Sequence, residues 1–200
     1  MRPKVTVYSD YICPFCFIGN AGIDRLKQEF DIDVEWKGFE IHPETPKSGI
    51  TLEEMGMDPK QLVVLMQSVE KLAKEVNLVL KAPSRLSNSR MALEIAEYAK
   101  KKNKFDEYHG RVFRAYWLEG LDIGSPSVIF DIVKEIGLDA DDLKDYLDHG
   151  VAERKIKEYL EEIRSYGING VPTFFIGDDI FVGVQSYEVL KKSVEDALRG

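Results

Sequence analysis

Val5 and Val7 alternate with polar residues between Lys4 and Ser9, and that period of two predicts a strand. A helix is expected from Pro14 to about Phe30. Proline suits a first helical position, where its missing N–H would have no partner, and Ile18, Ala21, Gly22, Leu26 and Phe30 then share one face. Asp33–Ile41 reads as a second strand, with Val34, Trp36 and, less regularly, Phe39 and Ile41 on its apolar side. The opening segment is therefore β-α-β.

The period then changes. "HPETPKSG", His42–Gly49, is loop chemistry, and from Leu52 to about Ser165 apolar residues recur at helical spacing. Leu62, Leu65, Met66, Val69, Leu72, Ala73 and Val76 form one stripe. Met91, Ala92, Ile95, Ala96 and Ala99 form the next, with Asn88 as its N-cap, and Phe105, Tyr108, Val112, Phe113 and Tyr116 form a third. Further helices are expected over Ser125–Ile136, Asp139–Leu147 and Val151–Tyr166, separated by Gly137 and Gly150.

Strand signals return at Val171–Gly177. A turn at Asp178-Asp179 leads to a second short strand, Ile180–Gly183, and the spacing is that of a hairpin. A last helix, Ser186–Leu198, would turn Val189, Leu190, Val194, Ala197 and Leu198 inward. The order is β-α-β, a helical block, then β-β-α. Residues 1–50 and 166–200 are expected to form one α/β domain, with 51–165 inserted into it as a helical domain. Neither flanking piece could bury its strands alone.

Hydrophobic residues make up 44% of the 200, enough for a core, and the 31% that are charged are of mixed sign, unlike a disordered chain. The net charge of −8 argues against nucleic-acid binding. The Lys100–Lys104 run reads as the basic end of a helix. The alternating start does not resemble a signal peptide and no apolar run could span a bilayer, so the expected location is the cytoplasm. There thiols stay reduced, and a Cys-x-x-Cys is more often catalytic, redox-sensing or metal-binding than structural.

The two cysteines, Cys13 and Cys16, lie in "SDYICPFCFIG" at the start of the first helix. Cys13 falls at the N-cap, where its sulfur would face the free N–H groups of the first turn, an arrangement that favours thiolate. Cys16 lies one turn further in and can reach Cys13. The roles follow: Cys13 attacks, Cys16 resolves. Pro14 and Phe15 between them add no charge, and Asp10 opposes ionisation, so a thiol pKa nearer ~7 than the ~3.5 of strong oxidants is expected. Two other readings compete. A metal site would need more ligands, and His42, His109 and His149 are scattered; inert buried thiols remain a possibility on the motif alone.

The second informative stretch is "GINGVPTFF". Pro172 is either a strand-start proline or a cis proline packed beside the cysteines. Taken with "CPFCFIG", "GFEIHPETP", "SNSRMALEIAEYA" and "VFRAYWLEGLDIGSPSVIFDIVKEIGLD", it makes nearly the whole chain resemble DsbA-family thiol–disulfide oxidoreductases. The likeness is to the FrnE-like branch, which is related to 2-hydroxychromene-2-carboxylate isomerases. Phe15 and Phe17 stand where that branch more often has Trp and Tyr, and Val184 where it has Ala. The resemblance implies a thioredoxin-like fold with a helical insertion, Cys13 and Cys16 as the catalytic pair, and Pro172 cis against them. It also implies that Val171 offers its backbone to an extended peptide. With Pro14 and Phe15, Asn88 and Arg90 would complete the substrate-binding set, although a capping role for Asn88 is compatible. His42 reads as an exposed loop residue, and Asp141-Asp142 and Glu161-Glu162 as solvated helix faces. Tyr116 or Trp117 would wall a groove above Cys13.

The leading function is thus dithiol–disulfide exchange with protein or peptide thiols, needing no metal or organic cofactor. Glutathione or a thioredoxin-type protein would be a recycling partner. A glutathione-dependent isomerase or transferase is the second reading, weakened because relatives of that kind usually carry serine at the position of Cys13. A non-catalytic module switched by its Cys-x-x-Cys is the third.

Overall fold

The computed structural model describes residues 2–81 and 84–199. The opening β-α-β consists of β1 (Lys4–Ser9), α1 (Pro14–Glu29) and β2 (Asp33–Gly38). The intervening segment holds β3 (Ile50–Thr51), α2 (Pro59–Glu75), β4 (Arg85–Leu86), α3 (Arg90–Lys101) and α4 (Phe105–Arg114). It continues with a π-helical turn at Ala115–Glu119, then α5 (Pro126–Glu135), α6 (Ala140–Asp148) and α7 (Val151–Ser165). The chain closes with β5 (Thr173–Ile176), β6 (Asp179–Val182) and α8 (Tyr187–Ala197). Among the described residues no helix is long and apolar enough to cross a membrane.

Four strands form one sheet in the order β2-β1-β5-β6, β1 and β2 parallel and the other pairs antiparallel. Side chains alternate across it. Val5, Val7, Phe174 and Ile176 face α1 and α8, where they bury Ile23, Leu26, Leu190 and Val194. Tyr8 points to the other face. There it joins Tyr11, Cys13, Cys16 and Phe17 in one cluster with Ile95, Tyr108, Phe113, Ile129 and Ile163 of the helical segment. The strand-bearing and helical parts therefore share a core.

Four local expectations are corrected. The hairpin turn is Gly177-Asp178, and Asp179 already pairs with Ile176; Gly177, at φ +56°, takes the left-handed conformation that so short a connection requires. Val189 and Leu198 of the last helix, expected inward, point outward, whereas Leu190 and Val194 are buried as expected and Ser193 joins them. Ser193 is admitted because its hydroxyl donates to Ile176 O and Asp179 Oδ2. The helical block also contains a two-stranded ladder, Ile50↔Leu86 and Thr51↔Arg85, too short for period-two patterning to register. Lys100 is not simply a helix-end charge; it is drawn inward to Glu97 and the Trp36 carbonyl.

The small ladder is entered through Gly49, at φ +68°, and a Cβ there would sit 2.7 Å from Leu86 O. Gly56 has nearly the same φ, +67°, with nothing within 4 Å. Gly49→Ala should therefore cost more than Gly56→Ala, roughly 2 kcal/mol or more against about 1, in urea unfolding. Equal costs would mean that the Leu86 carbonyl yields freely.

Candidate active site

α1 opens directly after β1. Cys13 is its N-cap in extended conformation, and its carbonyl accepts from Cys16 N at 3.1 Å and Phe17 N at 3.3 Å. Pro14 takes the first helical position, as expected. The two thiols, both free, have different surroundings. Cys13 lines a groove of about 700 Å³. Cys16, 1% exposed, lies behind it among core residues. Burial pushes the Cys16 thiol well above the usual thiol range, and the neighbouring Cys13 adds to the shift.

The Cys13 sulfur does not cap the first turn as expected. Its S–H instead points across to Val171 O at 3.7 Å. A protonated thiol has a hydrogen to give, and the carbonyl opposite is its acceptor. The Val171–Pro172 peptide bond is cis. The loop around it is held by Thr173 Oγ1, which donates to Gly170 O at 2.7 Å, and by Gly183 N, which donates to Pro172 O at 2.7 Å. α1 can approach closely because Gly19 has no side chain. A Cβ there would lie 3.0 Å from Phe174 Cζ and 3.5 Å from Pro172 Cγ.

Pro14, Phe15 and Val171 line the groove with Cys13, as do both Tyr116 and Trp117. The π-helical turn that carries this aromatic pair leaves no trace in the apolar period, and such turns often mark functional sites. Trp117 Nε1 donates to Tyr11 O at 2.8 Å, so the groove wall also holds the loop that delivers Cys13. The opposite wall is α2. Of the apolar stripe expected along this helix, only Val69 and Ala73 are buried. Leu62, Leu65 and Met66 stay half-buried and line the groove with Met55 and Met57. His42, read as an exposed loop residue, is a lining residue too; its Nδ1 lies 3.0 Å from Glu44 Oε1.

Asn88 and Arg90 are placed elsewhere. Asn88 Nδ2 donates to Thr45 O at 2.7 Å, and its Oδ1 accepts from Arg90 N at 3.1 Å, which caps α3 from one residue earlier than a standard N-cap. Arg90 Nε donates to the buried Glu40 carboxylate at 2.6 Å. Neither lines the groove. Asp10 is fully buried, and its carboxylate accepts from Ile41 N at 2.8 Å and Ile12 N at 3.3 Å. Burial outweighs these bonds and raises its pKa to about 6. Among the described residues no group of His, Cys, Asp and Glu is arranged to hold a metal.

A mixed sheet with Cys-x-x-Cys at the head of its crossover helix, facing a proline-led strand and enclosing a helical segment, defines a thioredoxin-fold protein of the DsbA type. The chain belongs to the DSBA-like thioredoxin domain family, which matches residues 4–195. It is 33% identical over 204 residues to the uncharacterized protein YwbO of Bacillus subtilis, covering 98% of each chain. It is 21% identical over 200 residues to a 2-hydroxychromene-2-carboxylate isomerase of Sphingobium xenophagum, covering 98% of this chain and all of that one (100%). The fold is similar to that of a probable DsbA oxidoreductase, SCO1869, from Streptomyces coelicolor. The TM-score is 0.86 at 20% identity, over 99% of this chain and 91% of that one.

The buried Asp10 gives a pH signature. Its folded pKa, about 6, lies above the ordinary 3.8, so burial costs nothing below pH 3.8 and increasingly more as pH rises through 6. Asp10→Asn removes that cost. The variant should gain about 2–3 kcal/mol on the wild type between about pH 4 and about pH 8 in urea unfolding of the reduced proteins. A pH-independent difference would mean that Asp10 is not held in a desolvated site.

Proposed function

We propose that this protein is a dithiol–disulfide oxidoreductase acting on protein or peptide thiols through Cys13 and Cys16. The observation that carries the reading is the asymmetry of the pair: both thiols are buried, but Cys13 lines the groove while Cys16 lies one turn behind it, away from the lining. Cys13 thiolate attacks a substrate disulfide, forms Cys13–S–S–R and releases one thiolate. Cys16 then attacks Cys13, closing the internal disulfide and releasing RS⁻; the protein has lost two electrons and the substrate has gained them. The reverse sequence oxidises a substrate dithiol. No metal or organic group is needed, and the reading places the enzyme in the cytoplasm.

The groove favours a peptide bearing apolar side chains. Among the described residues its walls are mostly Ile, Leu, Met, Phe, Tyr and Trp, its one carboxylate is Glu70, and its lining contains no Lys or Arg. Glutathione carries two carboxylates that would find no cation there, which suits it to recycling more than to specific binding. An extended peptide could instead pair with the Val171 backbone.

Cys13→Ser should abolish insulin reduction. Cys16→Ser should still attack and should accumulate a mixed disulfide visible by intact mass. Turnover of a hydroxychromene carboxylate with glutathione that survives in Cys16→Ser would overturn this reading in favour of the isomerase. Met66→Asp should raise KM for an apolar peptide disulfide about tenfold, by loss of one apolar contact worth ~1.4 kcal/mol, and leave Cys13 alkylation by iodoacetamide unchanged. An unchanged KM would mean that the groove is not the binding site.

A further inference from the structure

Three of the chain's five methionines, Met55, Met57 and Met66, line the groove that holds Cys13. Each is half-buried, packed on one side and open to a small solute on the other. Met55 and Met57 flank Gly56, whose φ of +67° bends the chain just before α2, and Met55 packs against the main core cluster. Met66 lies on α2 itself, one turn after Leu62 and one turn before the buried Val69. A thioether in such a place packs like a leucine, yet it can be oxidised to a sulfoxide, which is polar and accepts hydrogen bonds. Leucine would fill the same positions at little cost in packing. Methionine at all three makes the groove wall oxidisable beside the thiol that it shelters.

We propose that Met55, Met57 and Met66 form a modification site, and that their oxidation to methionine sulfoxide by hydrogen peroxide closes the groove to apolar peptides. The consequence for turnover rests on the oxidoreductase reading. At each site the thioether sulfur attacks one peroxide oxygen. The O–O bond breaks, an S=O bond forms, and the other oxygen leaves as water with both hydrogens; sulfur loses two electrons and peroxide gains them. The new dipole cannot stay against apolar walls without a partner, so it turns to solvent and the groove loses the apolar surface that the side chain supplied. At Met66 the effect reaches α2, which meets α1 through a small buried cluster, Val69 and Ala73 with Ile18. The cysteines give the response an order. In the reduced protein peroxide converts the more nucleophilic Cys13 thiolate to a sulfenic acid and releases hydroxide; the Cys16 thiol displaces the second oxygen as water and closes the disulfide. Thiols reopen that disulfide. The sulfoxides persist until a methionine sulfoxide reductase removes them.

The protein is first oxidised with diamide to close Cys13–Cys16, then treated with hydrogen peroxide, quenched with catalase and reduced with dithiothreitol, which reopens the disulfide and leaves sulfoxides in place. Peptide mass spectrometry should find one added oxygen at each of Met55, Met57 and Met66. KM for an apolar peptide disulfide should rise about tenfold with kcat unchanged, and Kd for a cysteine-free apolar peptide, read by fluorescence anisotropy, should rise by the same factor. Methionine sulfoxide reductases of both stereospecificities should restore both constants. The triple variant Met55→Leu, Met57→Leu, Met66→Leu keeps an apolar groove and should bind the peptide equally well before and after peroxide. Met91, half-buried outside the groove, is the internal control. Groove methionines that stay unoxidised where Met91 is oxidised, a Kd unmoved by complete oxidation, or an equal loss in the triple variant overturns the switch. An untreated protein that binds the peptide, loses it on oxidation and yet reduces no disulfide overturns the oxidoreductase reading alone. One that binds no such peptide overturns both.

Discussion

Strand β1 is hydrogen-bonded along both edges, and the position of each thiol depends on that double pairing. Its parallel neighbour β2 can be reached only by a crossover, so α1 must begin at the end of β1 and carry Cys13 and Cys16 on its first turn. Its antiparallel neighbour β5 runs the other way, so the beginning of β5 lies beside the end of β1, with Tyr8 opposite Thr173. Val171 and Pro172 just precede Thr173. Residues 158 apart in sequence thereby meet across a single contact, Cys13 Sγ to Val171 O. A one-residue slip in this register would send Val5, Val7, Phe174 and Ile176 to the wrong face of the sheet, so the core that fixes the register also fixes the site.

The helical segment completes what the sheet begins. It covers the Tyr8 face of the sheet and shares a core with the cysteine loop. It also leaves one helix incompletely packed. α2 meets α1 through Val69, Ala73 and Ile18, while Leu62, Leu65 and Met66 remain half-buried over Cys13. Apolar surface held open beside a reactive group is more informative than scattered exposed leucines. The three methionines of the groove, Met55, Met57 and Met66, are unbranched and polarizable, suited to side chains of varied shape.

Much of this was legible in the residues. Long elements with a strong period, β1, α1, β2 and α3 through α8, came through because burial of one face imposes the period that the sequence displays. The cysteine pair was legible because its spacing and its proline mark a helix start. Three features were not. A two-residue ladder has too few positions to show alternation, and the π-helical turn at Ala115–Glu119 changes hydrogen bonding without changing the apolar pattern. The outward lean of α2 depends on what lies opposite it, which periodicity alone does not encode. The cap assignment failed in a similar way: Cys13 occupies the predicted position, but its sulfur has a carbonyl within reach and turns to it.

The polar groups behind the groove explain how a loop-built wall keeps its shape. Asp10 binds the backbone N–H groups of Ile12 and Ile41, both groove residues, and so ties the cysteine loop to the segment after β2. That same segment is braced from α3, by Arg90 on Glu40 and by Asn88 on Thr45. An apolar residue at position 10 would avoid the cost of burying a carboxylate, but it could not satisfy two N–H groups from separate loops. The side chains that resemblance assigned to substrate binding, Asn88 and Arg90, do not line the groove and instead bond to the segment behind it. Under the proposed function a substrate would meet apolar walls and the Val171 backbone, while buried ionic and amide groups hold those walls in register with Cys13.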